Sequence, residues 1–175
     1  PALLEQLLSV LAEAVAEYLI SQVSAGVNAL QIFDTWGGLL PTPAYQRFSL
    51  SYIEKVIATV KRSTDVPIIL YTKHGGQWLE LMADAGADAL SLDWTVPLAS
   101  AFDRVGDRVA LQGNLDPDVL LCGPEATRAA VHQVLSTRRS AIGHVFNLGH
   151  GINQHADPAA VSALVETVHG FTESA

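Results

Sequence analysis

The sequence predicts an α/β chain: the last five strand–helix units of a TIM-type (β/α)8 barrel, incomplete without an N-terminal half. Three observations carry that expectation. Five short, near-continuous apolar runs alternate with helical stretches, the pattern of parallel strands covered by helices. No Gly-x-Gly-x-x-Gly turn follows any run, which disfavours the doubly wound, dinucleotide-binding arrangement. Polar residues sit at or just beyond the C-terminal end of each run, the rim where barrel enzymes keep their chemistry.

The elements follow in order. Leu3, Leu4, Leu7, Leu8, Leu11, Val15, Leu19 and Val23 share one helical face, while Glu5, Glu13 and Glu17 fall elsewhere. Gly26 stands where a left-handed residue would close that helix. The run Asn28-Ala-Leu-Gln-Ile-Phe-Asp34 is the first strand. A helix over 42–62 leads to Val66-Pro-Ile-Ile-Leu-Tyr-Thr72, and one over 76–85, closed by Gly86, to Asp88-Ala-Leu-Ser-Leu-Asp93. A short helix over 96–104 precedes Arg108-Val-Ala-Leu-Gln-Gly113. One over 124–138 precedes His144-Val-Phe-Asn-Leu-Gly149, and a last one over 158–169 follows. The strand ends bring forward Asp34-Thr35, Thr72-Lys73, Asp93, Gln112 with Asn114, and Asn147 with His150.

A barrel of this kind needs eight units and about 250 residues. Five strands and a leading helix in 175 residues leave three units missing at the front. Residues 1–175 are therefore expected to be one partial domain of something larger. An open arc with unpaired parallel edges invites association, so the isolated chain is expected to be poorly soluble or oligomeric.

Composition narrows the function classes. Hydrophobic residues make up 49% and charged residues 16%, as in an ordered domain rather than a disordered one. No apolar run reaches the roughly 18 residues of a membrane span. The opening Pro1-Ala-Leu-Leu lacks the basic region of a secretory signal, and the missing initiator Met reads as processing or a fragment. A net charge of −8, with ten scattered Lys and Arg, argues against nucleic acid or an anionic membrane as partner. One cysteine, Cys122, excludes an internal disulfide and a multi-thiolate metal site, so a reducing cytoplasm is the expected location.

Three segments are dense in residues that periodicity does not require: Gln31-Ile-Phe-Asp-Thr-Trp-Gly-Gly38, Leu111-Gln-Gly-Asn-Leu-Asp-Pro117 and Val145-Phe-Asn-Leu-Gly-His-Gly151. With Tyr71-Thr-Lys-His-Gly-Gly-Gln-Trp78 and Leu92-Asp-Trp-Thr95, they closely resemble the C-terminal half of the uroporphyrinogen decarboxylase family, in order and at the family's spacing. The resemblance implies a cofactor-free, metal-free barrel enzyme working as a homodimer. It would convert the four acetate arms of uroporphyrinogen III to methyls, giving coproporphyrinogen III on the way to haem and chlorophyll. Thr35 matches the family's substrate-contacting hydroxyl residue, and His150 its substrate-contacting histidine. The family's carboxylate-gripping arginines, pyrrole-binding Asp and a Tyr belong to its first half and have no counterpart here. No catalytic residue is therefore assigned in this chain, and the fragment alone is expected to be inactive. His74 stands where bacterial members often have Gly, and reads as a tolerated loop variation.

The chemistry agrees with the resemblance. Loss of CO2 from an acetate arm leaves a carbanion unless the electrons have a sink, and a protonated pyrrole within the substrate is such a sink. The protein then supplies positioning and fixed dipoles. A substrate with eight carboxylates wants cations, yet this half is acidic, and Lys73 is its clearest strand-end cation. A clamp on the missing half would account for that mismatch.

Each residue has a plainer reading beside this one. Thr35 could be a helix N-cap. His150, between Gly149 and Gly151, could be a solvated loop residue, although histidine can also serve as donor or cation to a carboxylate. Asp34 and Asp93 are tempting as general acids, but structural hydrogen bonding is the preferred reading. Trp36, Trp78 and Trp94 could line a macrocycle pocket or pack under loops. His132, His144, His169 and Cys122 receive no role. Two rival functions remain: a non-catalytic half-barrel that binds tetrapyrroles or assists assembly, and a zinc-dependent corrinoid methyltransferase of the same fold. The second needs His and Cys ligands at strand ends, which one loop cysteine does not supply.

Overall fold

The computed structural model describes residues 2–137 and 142–171. Five parallel strands alternate with helices in an α/β fold, and the strand order follows the chain, β1-β2-β3-β4-β5. The chain divides into two compact units, Pro1–Leu90 and Ser91–Ala175. The division falls inside β3 (Ala89–Ser91).

In the first unit α1 (Ala2–Ser24) leads into β1 (Leu30–Asp34). Gly26 closes α1 with φ of +99°, the left-handed turn that only glycine enters without steric cost. The face that α1 buries meets the expected one only at Leu19 among its fully buried residues. Ala12, Ala16 and Leu19 are buried beside α3, whereas Leu3, Leu7, Leu11 and Val15 are exposed, Leu3 to 80%. One neighbouring helix covers only a narrow stripe, and small residues let two helices approach closely, so two alanines and Leu19 are buried rather than the whole leucine face. The Arg47–Glu5 ion pair, 2.5 Å, and the bond from the Tyr52 hydroxyl to the Glu5 carbonyl, 3.3 Å, pin the start of α1.

The helix expected over 42–62 is three segments in one run. α2 (Thr42–Tyr45) passes through a π turn, Gln46–Leu50, into α3 (Ser51–Lys61). Ile53, Val56, Ile57 and Val60 form the buried face of α3 at i, i+3, i+4 and i+7 spacing. β2 (Ile68–Thr72) pairs parallel with β1 in the register Leu30↔Ile68 to Asp34↔Thr72. A 3₁₀ turn, Gly75–Trp78, precedes α4 (Leu79–Asp84). Its first flanking residue, His74, is left-handed at φ of +59°. That is a backbone state in which glycine costs least and histidine is tolerated. Asp88 fixes the entry to β3 (Ala89–Ser91): its carboxylate accepts from the Ile68 N–H at 2.8 Å and from the Lys61 ammonium at 2.7 Å.

The second unit continues with α5 (Leu98–Val105), β4 (Ala110–Gln112), a 3₁₀ turn at Pro117–Cys122, and α6 (Pro124–Ser136). The expected end of α6, residue 138, lies outside the described residues. β5 (His144–Val145) pairs parallel with β4, and α7 (Pro158–Gly170) follows. The carboxylate of Asp157 caps α7 by accepting from the Ala159 N–H at 2.8 Å, with Pro158 at the first helical position. Leu115, Val131 and Leu135 form a buried core against Phe146, Leu148, Leu164 and Phe171. Among the described residues no helix is long and apolar enough to cross a membrane.

Candidate functional site

The C-terminal end of β1 is held from the helix side. One Asp34 carboxylate oxygen accepts from the Gly37 N–H at 2.8 Å, and the other accepts from the Ser49 hydroxyl at 2.5 Å. Its carbonyl accepts from the Lys73 N–H at 3.1 Å. Strand alternation places Asp34 and its register partner Thr72 on one face, and Phe33 with Tyr71 on the other. The Thr72 hydroxyl bonds the Tyr45 hydroxyl of α2 at 3.1 Å, so the Asp34 face is the one covered by helices. On the opposite face Phe33 is largely exposed, edge-on to Tyr71 with ring centroids 5.9 Å apart.

Thr35 follows Asp34 at the bend into the 3₁₀ turn Gly37–Leu39, and is half-buried. It is not the cap of that turn, because Asp34 takes the Gly37 N–H. Trp36 is exposed. Trp78, by contrast, is buried, stacked on Tyr45 with centroids 3.8 Å apart and planes 6° from parallel. Its indole N–H donates to the Thr42 hydroxyl at 2.9 Å.

Burial pushes the Tyr45 phenol up to about 12 from 10.0; the Thr72 bond opposes the shift, and the Asp34 and Glu54 carboxylates add to it. A raised acid favours the neutral ring, so its stabilisation is intact below pH 10 and is lost as pH climbs toward 12. Tyr45→Phe should flatten that alkaline limb by on the order of 2 kcal/mol between pH 9.5 and 12. Urea denaturation of the two proteins across that window checks it.

In the second unit the loops after β3 and β4 are locked to each other. Asp93 accepts from both the N–H, 2.8 Å, and the hydroxyl, 2.5 Å, of Thr95. The buried Asn114 amide donates to the carbonyls of Asp93, 2.8 Å, and Val96, 2.6 Å. Gln112 donates to the Ser91 hydroxyl at 3.0 Å. The β4–β5 ladder then runs on past its named strands. Gly113 N–H bonds Val145 O, Leu115 N–H bonds Asn147 O, and Gly149 N–H bonds Leu115 O at 2.7 Å.

That last rung delivers His150 one residue beyond the ladder. Its Nδ1 accepts from the Gly151 N–H at 2.7 Å, which assigns the ring proton to Nε2. The ring stands edge-on to Trp94, centroids 6.2 Å apart at 82°. His144 lies against Phe102 and Phe146, its Nε2 2.7 Å from the Gly113 carbonyl. His132, His169 and Cys122 are exposed.

The strand-end residues therefore sort into two groups. Asp34, Asp93, Gln112 and Asn114 hold loops and strands together, as the structural reading of the two aspartates expected. Thr35 belongs to the first unit and His150 to the second, each on a turn fixed by its neighbours. Sequence reasoning missed Ser49 and Tyr45, both contributed by the helical run that the π turn interrupts.

Comparisons with known proteins bear on what these turns serve. The sequence profile described as Uroporphyrinogen decarboxylase (URO-D) matches residues 1–171. A protein named uroporphyrinogen decarboxylase from Chromohalobacter salexigens is 54% identical over 172 residues, 97% of this chain and 49% of its own length. Another of that name from Neisseria meningitidis is 53% identical over the same shares. The chain spans about half the length of the curated relatives it matches. A solved methyltransferase from Methanosarcina mazei superposes with a TM-score of 0.77 at 23% identity, over 89% of this chain and 46% of its own, a likeness of fold alone. With the profile spanning nearly the whole length and half of the residues shared with these relatives, the chain belongs to the uroporphyrinogen decarboxylase family.

Proposed function

We propose that residues 1–175 are the C-terminal, partial domain of a uroporphyrinogen decarboxylase, a carboxy-lyase that turns the acetate arms of uroporphyrinogen III into methyls. The observation that carries this reading is the identity of 52–54% to relatives of that name over 97% of the chain. In the proposed step a pyrrole carbon takes a proton, and the bond from the arm's CH2 to its carboxylate breaks. The electron pair neutralises the protonated ring, CO2 leaves, a second proton completes the methyl, and the first proton leaves the ring carbon to restore the pyrrole. The substrate is its own electron sink, so this chemistry calls for no cofactor.

Within that reading Thr35 and His150 contact substrate. Asp34 has taken the capping role, which supports assigning the Thr35 hydroxyl to a ligand. With Nδ1 accepting from the Gly151 N–H, the His150 ring is a donor at Nε2, suited to a carboxylate of the substrate. The exposed Phe33 beside Tyr71 offers apolar surface of the kind a macrocycle packs against. Homodimer formation and a cytoplasmic location are parts of the same proposal.

The test is coproporphyrinogen and CO2 production by the full-length protein. His150→Ala is expected to lower turnover on the order of tenfold or more with an unchanged circular dichroism spectrum. Unaltered steady-state kinetics would remove His150 from the site, and normal affinity and rate in Thr35→Val would remove Thr35. Expressed by itself, the 175-residue chain is expected to associate and to release no CO2. A monodisperse, active monomer would refute the partial-domain reading.

A further inference from the structure

We propose that Asp34 is a positioning residue for Thr35: its carboxylate, braced by Ser49 of the π turn, sets the bend from which Thr35 reaches substrate. The inference rests on the decarboxylase reading and adds a residue to it. Asp34 stands at a strand end in a chain of this family, where an acid invites assignment as a proton donor. Its surroundings give it other work. Both carboxylate oxygens already accept hydrogen bonds, from Gly37 N–H at 2.8 Å and Ser49 hydroxyl at 2.5 Å. Its face of β1 is the one beneath the helices, with Thr72 and Tyr45, and is opposite to that of Phe33.

The bend closes tightly on this carboxylate. A Cβ at Gly37 would fall on the Asp34 carboxylate atoms, so the turn can draw in this far only because residue 37 has no side chain. Gly38 is constrained from another side, where a Cβ would fall on the Lys73 carbonyl oxygen. Thr35 and Trp36 therefore lie in a four-residue turn anchored at Asp34, at Gly37 and against the strand-end backbone of Lys73. Hydrogen bonds to a carboxylate are about twice as strong as neutral ones, which suits a turn whose geometry must hold while a charged substrate binds and leaves. The π turn matters because it breaks helical phase between Tyr45 and Leu50, the stretch in which both Tyr45 and Ser49 reach back to the strand ends.

The experiment uses the full-length protein and four substitutions: Asp34→Ala, Asp34→Asn, Ser49→Ala and Thr35→Val, with Asp34→Ala and Ser49→Ala each also combined with Thr35→Val. Asp34→Ala is expected to lower kcat/KM about tenfold or more. Asp34→Asn keeps an acceptor for Gly37 N–H and a partner for Ser49, and should recover to within about threefold of the parent. Asp34→Ala with Thr35→Val should be no slower than the slower single variant, because a residue acting through Thr35 loses its effect once the hydroxyl is gone. Hydrogen exchange at residues 35–38 should quicken in Asp34→Ala and not in Asp34→Asn. Multiplicative losses in the double variant, or an Asn variant as slow as the Ala one, would overturn the inference while an active parent left the decarboxylase reading standing. A parent that makes no coproporphyrinogen would remove both. Should Asp34→Ala not fold, Ser49→Ala alone and with Thr35→Val decides by the same comparison.

Discussion

Alanine at position 149 is expected to cost both stability and turnover, and more turnover than the stability loss explains. Gly149 is buried, and a Cβ there would fall on the backbone nitrogen of Trp94 and within 3.0 Å of the Asp93 carbonyl carbon and the Trp94 Cα. None of these atoms is the free end of a side chain. The Asp93–Val96 loop is itself tied down by the Thr95 and Asn114 bonds, and Gly149 is tied by its own N–H to Leu115. Something in the backbone must yield, and overpacking of this kind costs about 1–3 kcal/mol. In a domain of roughly 150–250 residues each kcal/mol lowers Tm by roughly 2–4 °C, and in the longer full-length protein, where turnover is read, by less. His150 rides on the same rung, so the shift also moves its ring relative to Trp94, and turnover falls if that ring contacts substrate as proposed. The control is the next glycine, two residues on. A Cβ at Gly151 meets nothing within 4 Å, and Gly151→Ala should stay within about 0.5 kcal/mol of the parent. Thermal melts and kinetics of the two variants check the contrast; a Gly149→Ala protein that melts and turns over like the parent would show that the Trp94 loop gives way freely.

The second large effect separates two tryptophans that the sequence presents alike. Trp78→Ala should destabilise by about 3–5 kcal/mol, the range for removing a large buried aromatic. Trp78 is 2% exposed, stacks face to face on Tyr45, and donates to Thr42. Trp36→Ala should change stability by less than about 0.5 kcal/mol, because its ring is 74% exposed. Trp78→Phe discriminates the causes: it keeps an aromatic on Tyr45 and gives up the indole hydrogen bond, a loss of about 1 kcal/mol. Equal unfolding midpoints for Trp78→Ala and Trp36→Ala in urea would contradict the packing described for this end of the first unit.

Much of this was legible in the amino-acid order. All five strands lie within the runs expected for them, and helices lie where the 3.6-residue spacing put them, because alternation of apolar runs with amphipathic stretches is local information. Gly26 and Gly86 both adopt the positive φ expected of residues that close helices. What failed was partnership. The leucines of α1 form the more obvious apolar face, yet most of them are exposed while Ala12, Ala16 and Leu19 are buried, since which face is buried depends on a neighbour that the helix's own sequence does not name. The same reason hid the Asp34–Ser49 bond, which spans fifteen residues and passes through a π turn with no sequence signature of its own. At position 35 the cap reading was wrong by one residue: aspartate at the strand's last position outcompeted the threonine beside it for the Gly37 N–H.

The left-handed backbone at His74 limits which amino acids this loop can exchange over evolutionary time. The Cβ of any L residue crowds the following carbonyl oxygen in that conformation, at about 1–2 kcal/mol per residue; glycine escapes this, asparagine, aspartate and histidine tolerate it best, and side chains branched at Cβ worst. Drift at codon 74 is therefore confined to a short alphabet, and within that alphabet it can introduce or delete a titratable ring beside the end of β2 without disturbing the strand.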